Sequence, residues 1–158
     1  MKIEIRIQYT EEHLNNVNVD IQQLVRAAID AAGQAHAPYS GFKVGAALLL
    51  SDGTIITGSN QENAAYPSGL CAERVALFQF GHSCAGRTIL KAAIAVPHIT
   101  GDQLIPPCGA CLQVFAEYRK RQYSPIEIIL ANGDERLLIA PDVSTFLPFA
   151  FTDEHLTG

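Results

Sequence analysis

The segment Cys71-Ala72-Glu73-Arg74-Val75-Ala76-Leu77-Phe78-Gln79-Phe80-Gly81 has the length and the closing glycine of a helix. It follows the turn-forming run Tyr66-Pro67-Ser68-Gly69 and is flanked on both sides by strand patterns. Upstream, Lys43 to Leu50 and Thr54 to Gly58 enclose Ser51-Asp52-Gly53, a hairpin signal. Further upstream, residues 19–33 place Ile21, Leu24, Val25, Ala28, Ile29 and Ala32 at helical spacing, with Gly33 at the expected C-cap. Downstream, Lys91 to Val96 reads as a strand. Cys108 to Tyr118 reads as a helix with Leu112, Phe115 and Ala116 on one side. Ile126 to Leu130 suits a buried strand, and Glu135 to Ile139 suits another. Asn132-Gly133 lies between these two, but Asp134 lengthens the connection and leaves their mutual orientation open. Helix, strand, strand, helix, strand, helix, strand, strand, with helices able to cover both faces, predicts an α/β sandwich.

At 158 residues the chain has the size of one domain, expected to span residues 1–158. An apolar fraction of 48% against 17% charged residues excludes a disordered chain. The formal net charge of −5 argues against nucleic-acid binding, which needs clustered Lys and Arg. The basic run Arg119-Lys120-Arg121 reads as the solvated end of a helix. Met1 to Arg6 alternates charge with isoleucine and has no signal-peptide character. The run Val44 to Leu50 is too short to span a bilayer, which takes about 20 residues. The expectation is a soluble cytoplasmic protein with no membrane partner. Its four cysteines are too few for a disulfide scaffold and are expected to be reduced.

Two segments carry chemistry: Cys71-Ala72-Glu73 and Pro107-Cys108-Gly109-Ala110-Cys111, each at a predicted helix start. By itself Cys108-x-x-Cys111 fits either a zinc site or a redox pair, because a helix N-terminus depresses a thiol's pKa. Cys71, with Glu73 two residues on, changes the inventory. Structural zinc takes four Cys or His ligands, whereas three leave one position for water, whose pKa the metal lowers. A glutamate beside such a site can move that water's protons. Three cysteines, a non-ligand glutamate and Pro-Cys-x-x-Cys match the known inventory of zinc-dependent nucleobase deaminases. Three thiolates and Zn²⁺ leave one net negative charge. Two helix N-termini offset part of it, and Arg74 is placed to hydrogen-bond the sulfurs, with a surface ion pair as its plainer role.

The chain closely resembles the small cytidine deaminases that act on free nucleosides, from about Val19 to Leu156. The resemblance rests on four blocks in order. They are Ala37-Pro38-Tyr39-Ser40-Gly41-Phe42-Lys43-Val44-Gly45-Ala46-Ala47-Leu48, Gly58-Ser59-Asn60-Gln61-Glu62-Asn63-Ala64-Ala65-Tyr66-Pro67, Gly69-Leu70-Cys71-Ala72-Glu73-Arg74 and Pro107-Cys108-Gly109-Ala110-Cys111-Leu112-Gln113. It implies a three-layer α/β/α sandwich around a five-stranded mixed sheet. It also implies a homotetramer with one zinc per subunit and active sites completed by neighbouring subunits. The implied zinc ligands are Cys71, Cys108 and Cys111, and the implied proton shuttle is Glu73. Asn60 and Glu62 fall on ribose-binding positions, Phe42 on the aromatic wall beside the base, and the backbone of Ala72 on the segment that reads the pyrimidine. Tyr66 falls on a residue that reaches a neighbouring site, and Phe151 on an aromatic that stacks across the interface. Two positions depart from the pattern: Leu112 replaces an arginine, and Pro106 a serine, a change that a carbonyl contact to the base survives and a hydroxyl contact does not. Cys84 is a spare thiol.

The activity implied is hydrolysis of cytidine and 2′-deoxycytidine to the uridines and ammonia, a step of pyrimidine salvage. Glu73 would carry a proton from water to N3 and a further proton to the leaving amino group. Three other readings share parts of the pattern: a deaminase of another aminopyrimidine nucleoside of the blasticidin type, a polynucleotide-editing deaminase, and a zinc-stabilised binding module without catalysis. Asn60 and Glu62 lean against the first, the acidic charge against the second, and Glu73 with an open fourth position against the third.

Overall fold

The computed structural model describes residues 1–2, 4–84 and 86–156. Its strands are β1 (Thr10–His13), β2 (Gly45–Leu50), β3 (Ile55–Ser59), β4 (Ile89–Val96), β5 (Glu127–Asn132) and β6 (Arg136–Ala140). Its α-helices are α1 (Val19–Ala32), α2 (Ala72–Ser83) and α3 (Gly109–Gln122). The strands form one sheet in the order β1-β6-β5-β4-β2-β3. Only β4 and β5 run parallel; every other pair is antiparallel. The sheet is therefore mixed, and the open question of β5 against β6 resolves as antiparallel.

Six strands form where five were expected. The additional one, β1, pairs Thr10 with Ile139 and His13 with Arg136. Its residues Thr10-Glu11-Glu12-His13 carry no apolar alternation and none of them is buried. Backbone pairing, with an ion pair between Glu11 and Arg136, holds it at the sheet edge, so no apolar side-chain pattern announces it.

The apolar runs of the central strands serve two faces. Ala47 on β2, Ala93 and Ala95 on β4, and Ile129 and Ala131 on β5 pack under Ile21, Leu24, Val25 and Ala28 of α1. Their neighbours Ala46, Leu48, Ala92, Ile94, Ile128 and Leu130 face Leu77 and Phe80 of α2 and Phe115 of α3. Helix, sheet, helix is thus the layer order. Burying each large aliphatic side chain here contributes about 1.5–3 kcal/mol.

Both site-bearing helices run past their predicted ends, to Ser83 and Gln122. Gly81 lies inside α2, where α3 crosses too closely for a side chain: a Cβ there would sit 2.1 Å from the Tyr118 hydroxyl. The basic run occupies the last turn of α3, where it complements the helix dipole. Arg119 Nε also donates to buried Asp142 at 2.6 Å, and the other Asp142 oxygen accepts from Ile126 N at 3.1 Å. That carboxylate ties α3 to the entry of β5. Among the described residues no helix is long and apolar enough to cross a membrane.

Gly58 of β3 sets how closely α2 approaches the sheet: a Cβ there would meet Ala72 O at 2.5 Å and Ala76 N at 2.6 Å. Both atoms are helix backbone and cannot swing aside. Gly58→Ala is expected to destabilise the fold by about 1–3 kcal/mol. The check is a lowered urea midpoint at constant m-value; an unchanged midpoint would show that α2 moves away without cost.

Candidate active site

Cys71 and Cys108 are the N-cap residues of α2 and α3, and neither side chain caps its helix. Both thiols are thereby left to face outward from two helix N-termini. Cys111, one turn into α3, is fully buried. The Cys71 and Cys108 sulfurs are 3.9 Å apart, those of Cys108 and Cys111 are 3.5 Å apart, and all three lie within 4.8 Å of one another.

This cluster is poorly served by protons alone. A hydrogen bond from Cys111 lowers the Cys71 thiol to about 5, helped by Arg74 and Cys108. That same bond, with burial next, pushes Cys111 up. One sulfur takes the negative charge while its neighbour keeps a proton. A cation among them removes the conflict. A tetrahedral zinc with bonds of about 2.3 Å needs sulfurs about 3.8 Å apart, close to the 3.5 and 3.9 Å observed. The donor set and its spacing fit one zinc ion.

Arg74, one turn after Cys71, places Nη2 3.6 Å from its sulfur. Its Nε is buried without a hydrogen-bond partner. A guanidinium held this way keeps its full charge beside the sulfurs. Leu112 sits in the core with Phe115 and Phe80, so its position brings no charge to the cluster.

Glu73, in the first turn of α2, is only 4% exposed. Burial is the main cause raising its carboxyl above the usual range, and the negative charge of Cys71 adds to it. Its own backbone N–H and Cys111 pull the other way. A buried carboxyl whose protonated form is favoured in this way is suited to take up a proton and pass it on.

A cavity of about 490 Å³ opens beside Cys71 and is lined by Tyr39, Asn60, Glu62, Tyr66 and Arg74 among others. The structure thus brings Asn60, Glu62, Tyr66, Cys71 and Arg74 to one hollow. Asn60 accepts from Val44 N and donates to Phe42 O, both at 2.8 Å. One N–H and one lone pair of the amide remain for a ligand. Glu62 accepts from Tyr39 N at 2.9 Å, from Ser40 N at 3.2 Å and from the Ser40 hydroxyl. These bonds, the hydroxyl first, hold its carboxyl below the ordinary range. Ser40 lies in the first matched block, but nothing in its residue type announced that it grips Glu62.

Phe42 stands outside that lining, in T-shaped contact with His98 at 4.6 Å. Ala72, the first residue of α2, is buried, its carbonyl close against Gly58. Phe151 lies apart, in a groove of about 650 Å³ along α3 with Arg119, Leu147 and Phe149. Its backbone is tied to the Gln113 amide at 2.7 and 3.2 Å, while the residue stays 59% exposed. Cys84 is buried near Arg87, whose Nη1 lies 3.8 Å from its sulfur.

Known proteins agree with this geometry. The profile of the cytidine and deoxycytidylate deaminase zinc-binding region matches residues 18–124. A cytidine deaminase of Halalkalibacterium halodurans is 44% identical over 140 residues, covering 87% of this chain and 98% of the relative. A cytidine deaminase of Sporosarcina psychrophila is 40% identical, covering 88% of this chain and 96% of the relative. The crystal structure of cytidine deaminase from Burkholderia pseudomallei superposes with a TM-score of 0.72 at 38% identity, covering 82% of this chain and 98% of that one. With its three-sulfur cluster, its buried glutamate and matches of this extent, the chain belongs to the zinc-binding cytidine and deoxycytidylate deaminase family.

Proposed function

We propose that this chain hydrolyses cytidine and 2′-deoxycytidine to uridine and 2′-deoxyuridine, releasing ammonia. It works as a single 158-residue domain in a cytoplasmic homotetramer serving pyrimidine salvage. The observation that carries the reading is a buried carboxyl, Glu73, two residues from one sulfur of a three-cysteine cluster that borders a polar cavity.

Cys71, Cys108 and Cys111 would hold one zinc ion, which would supply Lewis acidity and bring a water's pKa towards neutrality. Glu73 takes a proton from the attacking water and delivers it to N3 of the base, which makes C4 electrophilic. Water oxygen bonds to C4, and Glu73 passes the proton left on that oxygen to the amino group. The C4–N bond breaks and ammonia leaves, so water and cytidine balance uridine and ammonia. The raised carboxyl of Glu73 supports this traffic in both directions. Arg74 offsets the surplus negative charge of three thiolates around a divalent ion.

The remaining valences of Asn60 and Glu62 take the sugar hydroxyls, and Phe42 and the Ala72 backbone border the base. Tyr66 and Phe151 complete sites in neighbouring subunits. The exposure of Tyr66, Phe149 and Phe151 supports burial in an assembly.

Three measurements test the reading. Wild-type protein is expected to carry one zinc per chain and to bleach cytidine's ultraviolet absorbance; zinc-loaded protein without turnover would overturn it. Glu73→Gln is expected to keep zinc while turnover drops by about 10²–10⁴; residual activity within tenfold of wild type would remove Glu73 from the proton path. Chelation is expected to abolish turnover and lower the thermal midpoint. An ion present at 1,000 times its Kd contributes about 4 kcal/mol, on the order of 10 °C for a chain of this size. A midpoint indifferent to zinc would place the metal elsewhere.

A further inference from the structure

We propose that Asn132 is a positioning residue for the base pocket: with Gly133 and Asp134 it clamps loop 97–107, whose two ends adjoin Phe42 and Cys108. The proposal rests on the deaminase reading above and adds a residue to it that lies in none of the four motif blocks.

Asn132 ends β5 and is 1% exposed. Its Nδ2 donates to Gly101 O at 2.9 Å and Gln103 O at 3.2 Å. Its Oδ1 accepts from Asp134 N at 3.1 Å and Arg136 N at 3.0 Å. Two donors and two acceptor sites are the whole capacity of a primary amide, and all are used. The acceptor side shapes the β5–β6 turn, and the donor side reaches across to the loop.

The neighbouring residues reinforce the same contact. Gly133 N donates to Ile99 O at 2.7 Å, and a Cβ on Gly133 would sit 2.1 Å from Pro97 O. Only glycine lets the turn press this closely on the loop backbone. Asp134 Oδ2 accepts from Gly101 N at 2.7 Å, and Arg136 pairs with Asp102. Every second residue of the loop from Pro97 to Gln103 is therefore touched by the turn.

The loop's two ends give the clamp its function. Near its start, His98 meets the Phe42 ring at 4.6 Å and 89°, the T-shaped arrangement aromatic rings favour. At its end, Pro106 and buried Pro107 lead into Cys108 at the start of α3. Releasing the middle of the loop frees the support of Phe42 and the Pro106 carbonyl together. Binding of the base suffers first, while Glu73, anchored on α2, keeps its place.

The discriminating variant is Asn132→Asp. It keeps both acceptor bonds of the turn but loses both donor bonds and turns an oxygen towards two carbonyls. The expected result is a KM for cytidine raised about tenfold, kcat within about threefold, and zinc stoichiometry unchanged. Asp134 is exposed, so Asp134→Ala tests the clamp without burying a charge. It is expected to raise KM about threefold, and Asp134→Asn, which still accepts from Gly101 N, is expected to restore it. Should Asn132→Asp fail to fold, the Asp134 pair decides. Wild-type KM in Asp134→Ala, or a lowered melting temperature as the sole effect of either variant, would overturn the clamp. Absent wild-type turnover would instead sink the deaminase reading, and the clamp's role with it.

Discussion

Three sulfurs brought within 4.8 Å of one another are an electrostatic burden that the rest of this fold is arranged to bear. Like charges at such range repel by several kcal/mol even at an effective dielectric of about 20. The chain meets them with two helix N-termini, a guanidinium and a site whose spacing suits a divalent ion. The helices must therefore point their N-termini at one spot from the same side of the sheet. That requirement explains the tight seats around α2, where Gly58 of the sheet meets the helix and Gly81 of the helix meets α3. It also explains why Asp142 pins the far end of α3 rather than leaving it to solvent.

Much of this was legible in the residues. Cys71, Cys108 and Cys111 declare themselves because metal ligation constrains residue type as well as spacing, and Glu73 by standing two residues after the first of them. The three helices and five of the strands are legible because each buries a periodic apolar face. What stayed hidden was what backbone pairing or distant contact decides. Thr10-Glu11-Glu12-His13 is polar throughout, so β1 left no trace in hydropathy. Gly81 looks like a helix end by composition but lies inside α2, where Tyr118, 37 residues away, leaves no room for a side chain.

The site was legible in its chemistry and less so in its supports. Asn60 and Glu62 were read as sugar ligands, and they also spend much of their hydrogen-bonding capacity gripping residues 39–44. Asn132-Gly133 reads as an ordinary turn dipeptide. Its contact with residues 97–103 depends on where β4 and β5 end relative to each other, which no local pattern specifies. The resemblance makes Phe151 an aromatic that stacks across a subunit interface; within one chain its groove is separate from the sulfur cluster.

The single parallel pair in the sheet has a consequence for how this architecture can vary. Val96 and Asn132 are register partners at the carboxyl ends of β4 and β5. The loop leaving one strand and the turn leaving the other thus start side by side and are forced to share space. Neither segment is an independent module. A loop of different length grafted from a relative would need the turn at 132–136 transplanted with it. In divergence, insertions after β4 should be inherited together with compensating changes after β5, two stretches far apart in the chain drifting as one.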